Sequence, residues 1–336
     1  MKPAVMISVV MPTYNCASLM ERHLQSVAGW ADLADEIVVV DSRSNDGTLD
    51  IIRDRLRHPN LRIIERDRGL YESWNEGIAA TSGDWIYIST AGDTIERGHL
   101  LHLLDAGERS QADVVISAPD FVDEAGEPVK DPGWPPRKII MDSGCVRPFC
   151  LTADAGFLLA FLHFPCAILG SSASNLYRGD HLRARAFPTG FKGAGDSVWI
   201  LRHAAQSRLC YSPLIGSTFC VHPKEEIACA EKQAALTAKL LAEKAEALAL
   251  PGLDGELARI LAEERRLLDE VRSIQRKRRD IWNARPRTLA GLGSWIEHNL
   301  LYLRKRSELK AVRRRIRQEF LAASSYQPVP PRERPA

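Results

Sequence analysis

Residues 1–223 read as one α/β domain, an open and mostly parallel sheet with flanking helices. Over residues 5–117, short apolar and β-branched runs recur, segments of helical spacing separate them, and the links between are brief. Alternation of that kind implies parallel strands joined by crossover helices. The run 5–11 is apolar throughout most of its length, as a strand covered on both faces must be. Helical spacing over 18–29 puts Leu19, Leu24 and Val27 on one side, and 36–40 (EIVVV) is a second buried strand. Asn45-Asp46-Gly47-Thr48 then caps a helix reaching residue 57. A third strand at 61–65, a helix at 72–81, a fourth strand at 85–89, a helix at 97–106 and a fifth strand at 114–117 complete the alternation. Trp74, Trp85 and Trp199 read as core.

Beyond residue 118 the pattern loosens. Proline and glycine make 119–144 an irregular excursion, 155–170 is an apolar stretch that His163 and Pro165 mark as buried core, and 171–222 returns to mixed structure. After Pro223 the composition turns to Ala, Leu, Glu, Lys and Arg. Residues 224–285 read as a helical hairpin, 224–249 against 256–283, because the breaker Leu250-Pro251-Gly252 is too short to let them separate. Residues 286–326 form a basic amphipathic helical region, and the proline-rich 327–336 reads as a disordered tail.

Charge and cysteine content exclude several classes. The formal net charge is +2, yet residues 259–320 carry 18 Lys/Arg against 8 Asp/Glu, leaving the remainder at −8. Such a basic extension can be a solvated helix face, or it can meet an anionic membrane, with the apolar patch around Trp295 inserted and 304–317 on the head groups. The membrane surface is the favoured reading, nothing elsewhere suggests nucleic acid, and the helical extension can also mediate homo-oligomer formation. Seven cysteines without a C-x-x-C pair give neither a disulfide framework nor a zinc site. The amino terminus does not read as a signal peptide, and no apolar run reaches the ~20 residues of a spanning helix. A cytoplasmic protein, peripheral at the inner face of the membrane, is the expectation.

Open α/β sheets bind ligands beyond the carboxyl ends of their strands. Those positions hold Pro12-Thr13-Tyr14-Asn15, then Asp41-Ser42 with Asp46, then Arg66-Asp67-Arg68-Gly69, and Thr90-Ala91-Gly92-Asp93. An aromatic ring can stack on a base, a carboxylate can accept from a base N–H or carry a divalent metal, and arginines can hold a pyrophosphate. No G-x-G-x-x-G follows the first strand, which excludes dinucleotide-dependent dehydrogenase chemistry, and the glycine- and lysine-rich loop of a sugar nucleotidyltransferase is missing there too.

The segments SVVMPTYN, EIVVVDSRSNDGT, RGLYESWNEGIAATSGDWIYISTAGD and GDSVWILR, in this order, resemble the motif series of the family 2 glycosyltransferases over residues 5–222. The fragment from Gly69 to Asp93 is most similar to the branch that assembles bacterial exopolysaccharide and lipopolysaccharide. The resemblance implies the GT-A fold, a Rossmann-like sheet, here with an α-helical carboxy-terminal extension. It implies an inverting, metal-dependent transfer from a nucleotide-sugar donor, UDP-sugar favoured, to a saccharide or lipid-linked acceptor. Pro12 and Tyr14 would line the nucleoside pocket, Asp41 would accept from the base, and Arg68 would lie near the phosphates or face solvent. Asn75 would pack under the site or touch the donor. Asp93 matches the last acid of the D-x-D element that holds Mn²⁺ or Mg²⁺, and His222 matches a late metal or phosphate ligand. Asp196 matches the base that deprotonates the acceptor hydroxyl.

Each of these residues has a plainer use: Asp41 as a loop cap, Asp93 and Asp196 as helix caps, and His222 as a satisfied histidine. Two departures stand out. The D-x-D element is Ala91-Gly92-Asp93, with only its final acid, and the base motif, commonly Glu-Asp, is Gly195-Asp196. The first departure is the only support for the alternative, a non-catalytic scaffold that binds nucleotide sugar or glycan.

Overall fold

The structure, a computed structural model, describes residues 5–221, 230–249, 255–284 and 289–331. The chain forms two compact units, Met1–Leu240 with Ser325–Ala336, and Leu241–Ser324.

In the first unit the chain runs β1 (Ile7–Thr13), α1 (Ala17–Ala28), β2 (Glu36–Asp41), α2 (Thr48–Arg55), β3 (Leu61–Glu65), α3 (Leu70–Ala79) and β4 (Trp85–Ile88). It continues through β5 (Thr94–Ile95), α4 (Arg97–Ser110), β6 (Val114–Ser117), β7 (Asp120–Val122), α5 (Pro135–Ser143), β8 (Phe149–Leu151) and α6 (Ala153–His163). Then come β9 (Asn175–Arg178), α7 (Gly179–Arg183), α8 (Gly195–His203), β10 (Leu209–Ser212), β11 (Ser217–Cys220) and α9 (Ala230–Glu246), which from Leu241 onward belongs to the second unit. The second unit holds α10 (Gly255–Asn283) and α11 (Leu289–Phe320), and β12 (Tyr326–Pro328) returns to the first.

The main sheet has the order β12-β8-β10-β6-β9-β4-β1-β2-β3. Its β4-β1-β2-β3 half is wholly parallel, so four strand ends open on the same edge. Every residue of β1 and β2 is buried, which explains their unbroken apolar runs: helices cover both faces. Trp85, Trp199 and Tyr87 anchor the core, and Trp74 is buried as well. β9 lies antiparallel between β4 and β6, an insertion that the short NLYR segment did not announce.

A second, three-stranded sheet of order β5-β11-β7 sits beside the first. The stretch expected to be irregular supplies β7 and α5, so part of that excursion is ordered pairing against β11.

Two expectations about the carboxy-terminal part are corrected. Residues 327–336 do not all form a disordered tail: Tyr326–Pro328 pairs antiparallel with β8, Tyr326 stands edge-on to Phe149 with ring centroids 5.7 Å apart, and Val329 is buried. The strand is at the sheet's edge, where proline is tolerated because the outward amides need no partner. Likewise the long partner of the helix at 256–283 is α11, not the segment before it: Leu267, Leu268 and Val271 pack with Leu309, Tyr302 and Val312. The 224–249 segment contributes α9, whose buried Lys244 donates to the buried Glu264 of α10 at 2.9 Å. Among the described residues no helix is long and apolar enough to cross a membrane.

Candidate active site

A cleft of about 610 Å³ opens at the carboxyl ends of the parallel strands, lined among others by Pro12, Tyr14, Arg68, Leu70, Thr90 and Glu124. The β1–α1 and β2–α2 loops that form one wall are laced together. Asn15, in the left-handed region at φ 43°, donates its amide to Ser44 Oγ at 2.9 Å, while its own side-chain oxygen accepts from the Asn45 amide at 2.9 Å. Asparagine is one of the few non-glycine residues that adopt this conformation readily. Asp46 bridges the same loops: it accepts from the Ala17 amide at 2.9 Å and from the Thr48 amide and hydroxyl at 3.0 and 2.6 Å. Asp46 is thereby a double cap.

On this wall the ring of Tyr14, 39% exposed, carries the Arg68 guanidinium 4.2 Å above its centroid. A flat aromatic face with an adjoining cation suits a base or sugar next to a phosphate. Asp41 lies below the surface. It is fully buried and accepts from Thr13 Oγ1 at 2.8 Å, the Ser44 amide at 2.7 Å and Ser44 Oγ at 2.7 Å. Three donors hold it, so in this state it ties the ends of β1 and β2 together.

The turn after β4 builds the opposite wall. Gly92 takes φ 87°, and a Cβ there would press to 3.2 Å from both Cys220 Cβ and Leu19 Cδ1, so glycine serves the turn twice. Asp93 follows, 4% exposed. Its Oδ2 accepts from Thr90 Oγ1 at 2.6 Å and Ser171 Oγ at 3.4 Å, and its Oδ1 from the Cys220 amide at 2.8 Å. The second sheet fixes this geometry, since Thr94 of β5 begins just after Asp93 and Cys220 ends β11. His23 bonds to the Asp93 carbonyl oxygen at 3.0 Å and to Ser89 Oγ at 3.2 Å. Burial depresses its pKa to about 4, so it is neutral at pH 7.

Asp196 lies in the first turn of α8, half-buried, and Tyr71 of α3 stands next to it, one residue from the cleft-lining Leu70. Its Oδ1 accepts from the Ser197 amide at 2.7 Å and from Ser197 Oγ at 3.3 Å. Burial pushes its carboxyl up to about 6, against the hydrogen bonds from Ser197 and Tyr71 that pull the other way. Burial likewise drives the Tyr71 phenol well above its ordinary value, with the Asp196 charge adding to it. The missing glutamate now has a steric reason: a Cβ on Gly195 would stand 2.5 Å from two Tyr71 ring carbons. Here Tyr71 fills the space that a side chain at 195 would need.

Of the residues singled out from sequence, Pro12, Tyr14 and Arg68 share the cleft and Asp93 adjoins it through Thr90, whereas Asp41 and Asp196 do not line it: Asp41 is fully buried, and Asp196 bonds to Tyr71, the residue after the cleft-lining Leu70. Asn75 does not face the donor cleft. Its amide nitrogen donates to the Phe187 carbonyl and its oxygen accepts from the Phe187 amide, both at 2.8 Å, which makes it a clamp between α3 and the segment leading to α8. His222 lies outside the described residues. Sequence reading missed His23, a lone histidine on a helix face with no motif around it, and Glu124, which the small sheet carries to the cleft.

A bound divalent metal can be tested against these groups. Among the described residues no cluster of three or more His, Cys, Asp or Glu side chains stands ready for a metal. Among the described residues Asp93 fits as one protein ligand to an ion whose other positions go to diphosphate and water, a sparse set usual for Mg²⁺ on nucleotides.

Comparison with known proteins adds the family. Residues 8–146 match the family described as glycosyl transferase family 2. A PGL/p-HBAD biosynthesis glycosyltransferase of Mycobacterium bovis is 34% identical over 119 residues, which is 33% of this chain and 46% of that protein. The match thus spans less than half of that relative's length. The solved structure of Staphylococcus aureus TarS 1–349 in complex with UDP-GlcNAc superposes with TM-score 0.59 at 17% identity, covering 92% of this chain and 84% of that one. The mannosyltransferase PcManGT of Pyrobaculum calidifontis, in complex with GDP-Man and Mn²⁺, gives TM-score 0.55 at 21% identity over 94% and 86% of the two chains. Motifs, sheet and cleft agree with these likenesses: the fold is GT-A, and residues 8–146 carry the match to glycosyl transferase family 2.

Proposed function

We propose that the protein is an inverting glycosyltransferase that moves a sugar from a nucleotide-diphosphate donor, a UDP-sugar by preference, to a saccharide or lipid-linked acceptor in envelope polysaccharide synthesis. The observation that carries this reading is the cleft with Tyr14 and Arg68 on one wall and Thr90 and Ala91 of the Asp93 turn on another, together with Asp196 bonded to Tyr71, the residue after the cleft-lining Leu70. The UDP-GlcNAc held by TarS and the GDP-Man and Mn²⁺ held by PcManGT support a nucleotide sugar with a metal.

In this reading Pro12 and Tyr14 receive the base, with the buried Asp41 below them keeping the strand ends in register. Arg68 neutralises phosphate charge as the diphosphate leaves. Asp93 would hold Mn²⁺ or Mg²⁺, which when bound offsets the same charge. Asp196 takes the proton of the acceptor hydroxyl as that oxygen attacks the anomeric carbon. Its raised pKa makes it a better base than an ordinary aspartate while leaving it ionised at pH 7. A single displacement from the face opposite the diphosphate inverts the anomeric centre.

The test is nucleoside-diphosphate release from a panel of UDP- and GDP-sugars with Mn²⁺ and an envelope saccharide extract. Wild type should release it from one donor class, and Asp196→Asn should bind that donor but not turn it over. A wild-type protein that binds nucleotide sugar and never turns it over would be a scaffold instead.

A further inference from the structure

The helix α11 has two apolar faces, and only one of them is used within its own unit. Trp295, Tyr302, Leu309 and Ile316 recur every seven residues. On this face Leu309 and Tyr302 pack with Leu267, Leu268 and Val271 of α10, Trp295 lies 5.3 Å from Trp282, and Ile316 is fully buried. On the other side Ile296, Leu300 and Leu303 form a stripe at spacings of four and three, exposed by 47, 62 and 58%. Trp282, at the last turn of α10, is 62% exposed and stands at the same end of the hairpin.

The exposed stripe is short and changes character. By the same spacing it continues through Ser307 to Lys310 and Arg314, all exposed, and Arg304 and Arg306 flank it. The end of α10 adds exposed Arg276, Lys277 and Arg279, against Asp280, Glu297 and Glu308 as acids of this region, Glu308 pairing with Arg304 at 3.2 Å and with Lys305 at 2.8 Å. From Ile296 to Leu303 the helix rises only ~10 Å, too little for a helix–helix seam with a second copy, whose apolar contact would have to run on where Lys310 and Arg314 stand.

We propose that the α10–α11 hairpin end docks on an anionic phospholipid surface, with Ile296, Leu300, Leu303 and Trp282 entering the interfacial zone and the flanking arginines and lysines meeting head-group phosphates. Leucine and tryptophan on one side of a helix, with basic residues bordering them, is the composition of helices that lie in the membrane plane. Tryptophan favours the head-group level, and each basic residue near an anionic leaflet adds attraction that salt weakens. Nucleic acid would use the cations but gain nothing from three exposed leucine and isoleucine side chains.

The full chain is sedimented with phosphatidylcholine vesicles and with vesicles containing phosphatidylglycerol, at low and high salt, and run against a DNA duplex. The expected result is pelleting with the anionic vesicles only, weakened by salt. Leu300→Glu and Leu303→Glu should each reduce partitioning by roughly tenfold or more, the factor that one buried leucine represents, with an unchanged thermal melt because both side chains are exposed. Equal pelleting by these variants, no pelleting of wild type, or duplex binding in place of vesicle binding would overturn the proposal. A wild-type dimer that Leu300→Glu converts to monomer, without vesicle binding, would assign the stripe to self-association instead. Vesicle binding is read without donor or acceptor, so its failure and a failure of the transferase reading are separate results.

Discussion

Asp93 adjoins the cleft through Thr90 and Asp196 bonds to Tyr71, and the two carboxylates are held in different ways. Asp93 is locked by two hydroxyls and a backbone amide drawn from the β4 turn, the segment before β9, and β11. Asp196 has only its neighbour Ser197 and the Tyr71 phenol, and burial lifts its carboxyl to about 6. Asp93 is fixed in place by its donors, whereas burial leaves Asp196 able to exchange a proton near pH 6. Each carboxylate meets at least three donors, so it is burial, and not the number of partners, that raises the pKa of Asp196.

That contrast can be broken most sharply at Asp196. Asp196→Asn should lower turnover by roughly a hundredfold to ten-thousandfold, the range for loss of a general base, while donor affinity stays within a factor of a few. In wild type, kcat/KM should rise with pH through about 6, and the variant's residual rate should lose that limb. The stability sign is the reverse of an ordinary paired aspartate. The folded carboxyl titrates at about 6 against 3.8, so between those values the folded state holds the extra proton and stability falls as pH rises. An uncharged amide carries no such penalty, and the Asp196→Asn variant should be more stable than wild type at pH 8, by up to about 3 kcal/mol in chemical denaturation.

At Asp93 the prediction is the opposite. Asp93→Ala strands the Thr90 and Ser171 hydroxyls and the Cys220 amide, and should cost about 2–4 kcal/mol of unfolding free energy. It should also abolish any dependence of donor binding on Mn²⁺. Gly195→Ala tests the steric half of the contrast: a methyl group pressed against the Tyr71 ring should cost about 1–3 kcal/mol and disturb the rate through the position of Asp196. Tyr14→Ala should give the smallest change, roughly a five- to thirtyfold loss of nucleotide affinity with little change in melt, because the ring is exposed and stacks only with Arg68.

Much of this arrangement is legible in the residues themselves. The runs at β1, β2 and β4 are apolar because both sheet faces are covered, so the strand ends, and with them Tyr14, Arg68 and Asp93, fall to one edge by topology alone. What stayed hidden depends on contacts distant in sequence. Asn75 sits in a motif that allows it to pack under the site or to touch the donor, and its direction depends on Phe187, 112 residues on. Glycine at 195 reads as a defect until Tyr71 is seen in the space of its side chain. The proline-rich end looks unable to pair, yet an edge strand asks little of Pro328, and α11 finds α10 through a face that its exposed Leu300 and Leu303 obscure in the periodicity.

The most direct measurement is thermal stabilisation of the purified chain by UDP, GDP and dTDP, each with and without Mn²⁺, in wild type and Asp93→Ala. The account predicts that one diphosphate, UDP by preference, raises the melting temperature of wild type in the presence of Mn²⁺, and that Asp93→Ala, from its own lower baseline, loses the metal-dependent part of that rise. No shift with any nucleotide, with or without metal, would contradict it.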